Sequence, residues 1–238
     1  MHNIWILAKR EIKSYFFTPV AYILITIFLL IAGWFFSSEL FLVNEATMRN
    51  IFSLTPLIFI FFIPAVTMRT ISEEKRAGTI ELICSSPVKD SEIVIGKFVA
   101  ALSLLLVTIL STIIYVILLL TLGKPDGGLI IGGYIGLLLM GASYAAIGIF
   151  GSTISKNQIV SFIISFFIIM LLFLLDKFMY FIPTWLGSIF QYLSIDYHFQ
   201  NIARGVIDTR DLIYYFSLIF IFLFLAWQSL TKRKYLSN

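Results

Sequence analysis

FVAALSLLLVTILSTIIYVILLLTL, residues 98–122, is a run of 25 residues without a single charged side chain. A helix rises about 1.5 Å per residue, so roughly 20 apolar residues suffice to cross the hydrocarbon core of a bilayer. The run is continuous rather than alternating, which favours a membrane helix over a strand of a membrane barrel. Five further runs of similar character occupy residues 18–38, 51–68, 129–151, 159–175 and 212–230, and none of the six contains Asp, Glu, Lys, Arg or His. The chain of 238 residues is 60% apolar and only 13% charged, with a mean hydropathy of +0.99. An ordinary soluble domain carries about 25% charged residues, so a water-soluble fold is excluded. The expected fold class is an all-α membrane protein: a single domain over residues 1–238 with six transmembrane helices.

The charges orient this bundle. Six crossings place both termini on one side, and 12 of the 17 Lys and Arg residues fall on that side, before the first run, between the second and third, after the fourth and at the chain end. The positive-inside rule makes that face cytoplasmic, and the protein a multi-pass component of the cytoplasmic (inner) membrane. The net charge of +4 is accounted for by these flanks, and no nucleic acid partner is expected. Trp34, Trp185 and Trp227 stand near run ends, as interfacial anchors do. The first run is too long for a signal peptide and no small-residue cleavage site follows it, so it is read as a retained span. Ahead of it, in residues 1–17, Trp5, Ala8, Ile12, Tyr15 and Phe16 recur at helical spacing while Arg10 and Lys13 project elsewhere. That pattern predicts a helix lying in the membrane interface, turned into the bilayer at Pro19.

Two segments are not membrane spans. Residues 69–97 hold ten charges of mixed sign. Ser72 is expected to cap a short helix, Gly78 to end it in a left-handed conformation, and Thr79 to cap a following segment containing Ile80, Leu82 and Ile83. Ser86–Pro87, then Asp90 or Ser91, mark the start of the helix entering the third span. The mixed signs and apolar residues suit a protein partner better than lipid headgroups. Residues 176–211 are apolar for an outer loop: Phe178, Phe181, Ile182, Trp185, Leu186, Ile189, Phe190 and Leu193 need burial. Two short re-entrant helices are expected, one from Pro183 and one over residues 196–204 closed by Gly205, with Asp208 and Asp211 capping the last span. Gly132 and Gly136, and Ser161 and Ser165, sit at the small-xxx-small interval of close helix packing. Pro56 and Pro64 are expected to bend the second span.

The chemistry that is missing narrows function. With Cys84 as the sole cysteine, there is neither an intrachain disulfide nor a cysteine metal cluster. His2 and His198 are loop residues, read as hydrogen-bonded rather than as ligands. Spans without His or Asp cannot hold an intramembrane protease, and a bundle without ionisable groups disfavours a proton- or sodium-coupled transporter. No phosphate-binding GxxxxGK[ST] loop is present, so an energy source, if used, belongs to another chain.

The stretch ISEEKRAGTIELICSSPVKDSEIVIGKF, residues 71–98, resembles the cytoplasmic signature of type-2 ABC exporter permeases, through Glu73, Glu74, Lys75, Arg76, Gly78, Thr79, Glu81, Ser86 and Pro87. The layout of the whole chain is similar to that family, and residues 196–215, DYHFQNIARGVIDTRDLIYY, are similar to its gliding-motility-type branch. The resemblance implies that residues 69–97 form a coupling helix docking on a separate ABC ATPase, with residues 155–158, above all Ser155, Lys156 and Asn157, as a second contact. It further implies two ATPase copies that carry ATP and Mg, a second permease chain as homodimer or heterodimer, contact with membrane lipid and an accessory protein on the outer side. The chain itself would hold no cofactor and catalyse nothing. Two other classes remain open at this level: a membrane scaffold recruiting a cytoplasmic partner, and a channel or secondary transporter.

Overall fold

The computed structural model describes residues 2–43, 47–79, 88–123, 125–181 and 184–236. It is 88% helical, with no strand among the described residues. Helix α1 (His2–Phe17) is followed by α2 (Pro19–Ser38), a π-helical turn (Glu39–Val43), α3 (Arg49–Thr67) and the short α4 (Ser72–Ala77). Then come α5 (Asp90–Ser111), α6 (Ile113–Leu122), α7 (Gly127–Ile154) and α8 (Gln158–Leu174). A 3₁₀ turn (Lys177–Phe181), α9 (Thr184–Leu193), α10 (Ile195–Ala203) and α11 (Thr209–Leu236) complete the chain.

Local chemistry sets most of these boundaries. Thr18 is extended (φ −98°, ψ 146°) and Pro19 opens α2, because proline forces its predecessor out of the helical region and tolerates the first helical position. Asp126 caps α7 by accepting from the Gly128 amide at 2.9 Å, and Asn157 caps α8 by accepting from the Ile159 amide at 2.9 Å. The run 98–122 departs from a single span. Its helix begins at Asp90, and it divides at Thr112 into α5 and α6. There the Thr112 amide bonds the Ile109 carbonyl at 3.0 Å, a tightened i→i+3 step. The Thr112 hydroxyl bonds the same carbonyl at 2.6 Å and meets the Tyr134 hydroxyl at 2.8 Å, so side chain and backbone compete for one acceptor.

Among the described residues, five helical stretches are long and apolar enough to cross a membrane: Pro19–Phe41, Arg49–Ala77, Asp90–Leu122, Gly127–Ile154 and Thr209–Lys232. The sixth expected span is the shorter apolar helix Gln158–Leu174 of 17 residues. Helix α7 is the axis, packing against α3, α5, α8, α10 and α11. Its glycines make room against α3, α5, α8 and α10: a Cβ on Gly133 would lie 2.3 Å from the Phe52 ring, and one on Gly151 would lie 2.1 Å from the Ser165 hydroxyl. The small-residue spacing therefore serves packing within the chain. Phe28, Phe59, Met140, Tyr144 and Tyr215 form the core around this axis, whereas Ile23, Leu30 and Trp34 on α2 and Phe216 and Phe220 on α11 face outward.

Several expectations are corrected. Trp5 is 61% exposed, while Ala8 is fully buried. The inner face of α1 runs through Ile4 and Leu7, which close on Gly96 of α5, so this helix packs on protein along one side. The outer segment does form two short helices, and Gly205 has a left-handed φ of 87°. Within the chain Phe178, Ile189 and Leu193 are about half exposed, while Ile195, Phe199 and Ile202 are buried and seat α10 on α7. Ile182 and Pro183 lie outside the described residues, as do the side chains of Phe181, Trp185 and Leu186.

Candidate functional site

Helices α1, α4, the start of α5 and the joint between α7 and α8 gather at one end of the bundle. Lys97 is 3% exposed, and its ammonium lies 2.9 Å from Glu11 and 2.9 Å from Glu74 while donating to the Thr70 carbonyl. Arg10 donates to Glu74 at 3.2 Å and lies 3.5 Å from Glu11. Four charges from α1, α4 and α5 thus form one network around a buried lysine. A charge withdrawn from water is tolerable when paired and hydrogen-bonded this fully. On the other side of α4, Lys75 is 8% exposed and donates to the Thr153 carbonyl at the end of α7. Thr70, in the turn ahead of α4, shares a hydrogen bond of 3.0 Å with Ser152 of α7. The six residues of α4 are therefore fastened to α1, α5 and α7.

This arrangement sorts the residues singled out in the sequence. Glu73, Arg76, Gly78 and Thr79 are on the exposed edge of α4, with Glu73 accepting from Arg69 at 3.1 Å across one helical turn. Glu74 and Lys75 point inward. Ser72 is the first helical residue, not the cap, and its hydroxyl donates to the Met68 carbonyl. Gly78 ends α4 at φ 73°, in the left-handed region. Thr79 donates back to the Glu74 carbonyl at 3.4 Å. Ile80, Glu81, Leu82, Ile83, Cys84, Ser86 and Pro87 lie outside the described residues. Helix α5 starts from Lys89, whose amide donates to Glu92 at 3.0 Å; Asp90 and Ser91 are its first helical residues. Helix α4 packs on both α7 and α8, the helices joined by Ser155, Lys156 and Asn157, so the two cytoplasmic contacts expected from sequence are neighbours. Lys97, Glu11 and Arg10 were missed as site residues. The available signal was Glu11, an acid inside an otherwise basic flank.

The opposite end holds a second polar cluster. Lys177 lies 2.6 Å from Asp176 and 2.8 Å from Asp196, which also accepts from Gln200 at 2.7 Å. Burial alone would lower the Lys177 pKa, but hydrogen bonds and attraction from these carboxylates hold it above the usual value. His198 is 1% exposed, with Nδ1 2.5 Å from Asp211 and Nε2 2.9 Å from the Tyr192 carbonyl, and its ring stacks on Tyr214. Tyr214 donates to the Leu193 carbonyl at 2.6 Å and Tyr215 to that of Ile195 at 2.9 Å. The bundle thus does bury ionisable groups, contrary to the sequence reading, because folded-in termini and short helices supply what the apolar runs lack. Asp208 caps α11 as expected, accepting from the Arg210 amide at 2.9 Å, whereas Asp211 faces His198 instead of sharing the cap.

A buried charge network on a short helix at one end, a polar clasp at the other and an apolar bundle between describe a helical membrane protein. No curated protein matches the chain. The sequence profile of the family described as ABC-2 family transporter protein matches residues 35–230, from the end of α2 into α11. The chain belongs to this family and is a multi-pass transmembrane permease component of an ABC transporter.

Proposed function

We propose that this chain is the permease subunit of an ATP-driven exporter, and that α4 couples it to a separate ABC ATPase in which ATP and Mg are bound. The family normally works with such a subunit. The observation that carries the reading is the fastening of α4 on three sides, by Glu74 to Arg10 and Lys97 and by Lys75 to Thr153. A short helix held this firmly can pass a push from a closing ATPase dimer to α1, α5 and α7 together. Its exposed edge, Glu73, Arg76, Gly78 and Thr79, is the docking face, with Ser155, Lys156 and Asn157 beside it. Two such chains with two ATPase copies form the working unit, in six spans each, both termini in the cytoplasm and the complex in the inner membrane. Transmission to a partner on the outer side is compatible with the α9–α10 segment.

Co-purification tests the docking face. Glu73→Lys with Arg76→Glu is expected to lower ATPase retention several-fold at unchanged membrane abundance, because charge reversal at a close interface is repulsive. Gly78→Val is expected to act more strongly. No atom lies within 4 Å of a Cβ at Gly78, so its penalty is conformational, about 1–2 kcal/mol or more for a β-branched residue in the left-handed region. Normal ATPase retention in both variants would remove the coupling role of α4.

Thiol labelling tests the topology. Cys84 is expected to react with an impermeant reagent only from the cytoplasmic side, and labelling of intact cells from outside would overturn the six-span orientation. In a Cys84→Ser background, Ile189→Cys is expected to react slowly with water-soluble reagents. Ile189 is 52% exposed within the chain, so protection there would come from lipid; rapid labelling would make α9 a water-facing element.

A further inference from the structure

At the end of the bundle that carries α4, a groove of about 480 Å³ runs between the last turns of α7 and α11. Lys75, Lys156 and Lys232 line its polar side, and Phe150, Ile154 and Leu225 its apolar side. Among the described residues that line it there is no carboxylate. The groove is built by the Thr153 carbonyl, which accepts from Lys75 and, at 3.5 Å, from the Ser229 hydroxyl, so that α4, α7 and α11 converge on one atom. Lys75 closes the base through its bond to the Thr153 carbonyl, while Lys156 and Lys232 stand exposed at the rim.

The apolar side does not end in the groove. Ile154 and Leu225 are exposed, and they continue into Ile221 and Phe224 on the outward face of α11. A cationic rim above an apolar channel that opens along a membrane helix is complementary to an amphiphile with an anionic head. Inorganic phosphate would occupy the rim and leave the channel empty. An acidic peptide would leave Leu225 and Ile154 against water. We propose that this groove binds an anionic phospholipid, its phosphate between Lys156 and Lys232 above Lys75 and an acyl chain laid along Leu225 and the outward face of α11. The inference stands on membrane embedding alone and is independent of whether α4 docks an ATPase.

Native mass spectrometry of the detergent-purified full chain, titrated with phosphatidylglycerol, phosphatidylcholine and inorganic phosphate, tests it. Phosphatidylglycerol is expected to bind in preference to phosphatidylcholine, and Lys156→Gln with Lys232→Gln to weaken it about 30-fold, since each lysine near an anionic lipid surface is worth roughly fivefold. Equal affinity for the two lipids, an unchanged affinity in the double variant, or displacement of the lipid by phosphate at equal concentration would each overturn the proposal. No ATPase is present in this measurement, so loss of coupling through Lys156 cannot imitate the result. A photo-reactive phenylalanine derivative replacing Gln228, which also lines the groove, is expected to yield a lipid adduct in native membranes. A protein adduct, whether with an ATPase or a second copy of this chain, would mean that the groove is a protein interface.

Discussion

Lys97→Met is expected to destabilise the chain by about 3–5 kcal/mol, the usual result of removing one partner from a buried ion pair. The lysine is 3% exposed, and the carboxylates of Glu11 and Glu74 that face it are only 16% and 15% exposed. Methionine matches the length of the lysine stem but leaves two like charges facing each other with Arg10 as their remaining cation. The Thr70 carbonyl loses its donor as well. The cost should show as a lower melting temperature in detergent and reduced membrane abundance. Adding Glu11→Gln and Glu74→Gln to Lys97→Met is expected to recover most of the loss, because the buried part of the cluster is then neutral and Arg10, its remaining charge, is more than half exposed to water. A single Lys97→Met variant as stable as wild type would mean that the network contributes nothing and that α4 is not fastened through it.

The same network explains how far the sequence could be read. The apolar runs announced their helices because a membrane span must be nearly continuous in hydrophobicity, and Gly78 announced the end of α4 because a left-handed residue favours glycine. The inward and outward sides of α4 were not legible. Glu73 and Glu74 are adjacent and chemically alike, yet one is exposed and the other meets Lys97, 23 positions along the chain. A helix of six residues is too short for periodicity to assign its faces. The buried charges were hidden for a related reason: Lys97, Asp196, His198 and Asp211 all lie outside the apolar runs, and only tertiary folding carries them into the protein. The contact of α1 with α5 was not legible either, because Ile4 and Leu7, which close on Gly96, carry no mark that separates a protein-facing from a lipid-facing apolar residue. The division at Thr112 was obscured because a threonine in an apolar run gives no sign whether its hydroxyl bonds outward or back to the chain.

Gly132→Val is the second large effect, and it acts at the opposite end. A Cβ at Gly132 would lie 2.3 Å from the Ile202 carbonyl oxygen and 3.0 Å from the Gly205 Cα. Both are backbone atoms, in α10 and in the left-handed turn that follows it, so no side-chain rotation relieves the overlap. Relief requires α10 to move away from α7, which would uncover Phe199 and Ile202 and strain the bond between Tyr215 and the Ile195 carbonyl. Overpacking of this kind costs about 1–3 kcal/mol and more where backbone must shift, and the branched side chain of valine adds two atoms beyond the Cβ. Gly127→Ala is the matched control: it stands at the first position of the same helix, where a Cβ meets nothing within 4 Å, and alanine is the better helix former by about 1 kcal/mol. Limited proteolysis of the detergent-purified chain separates the outcomes. Gly132→Val is expected to expose residues 195–211 to cleavage at normal temperature while Gly127→Ala stays resistant. Equal resistance in the two would mean that α10 is not seated on the glycine face of α7, and that the clasp of His198 on Asp211 alone holds the outer segment in place.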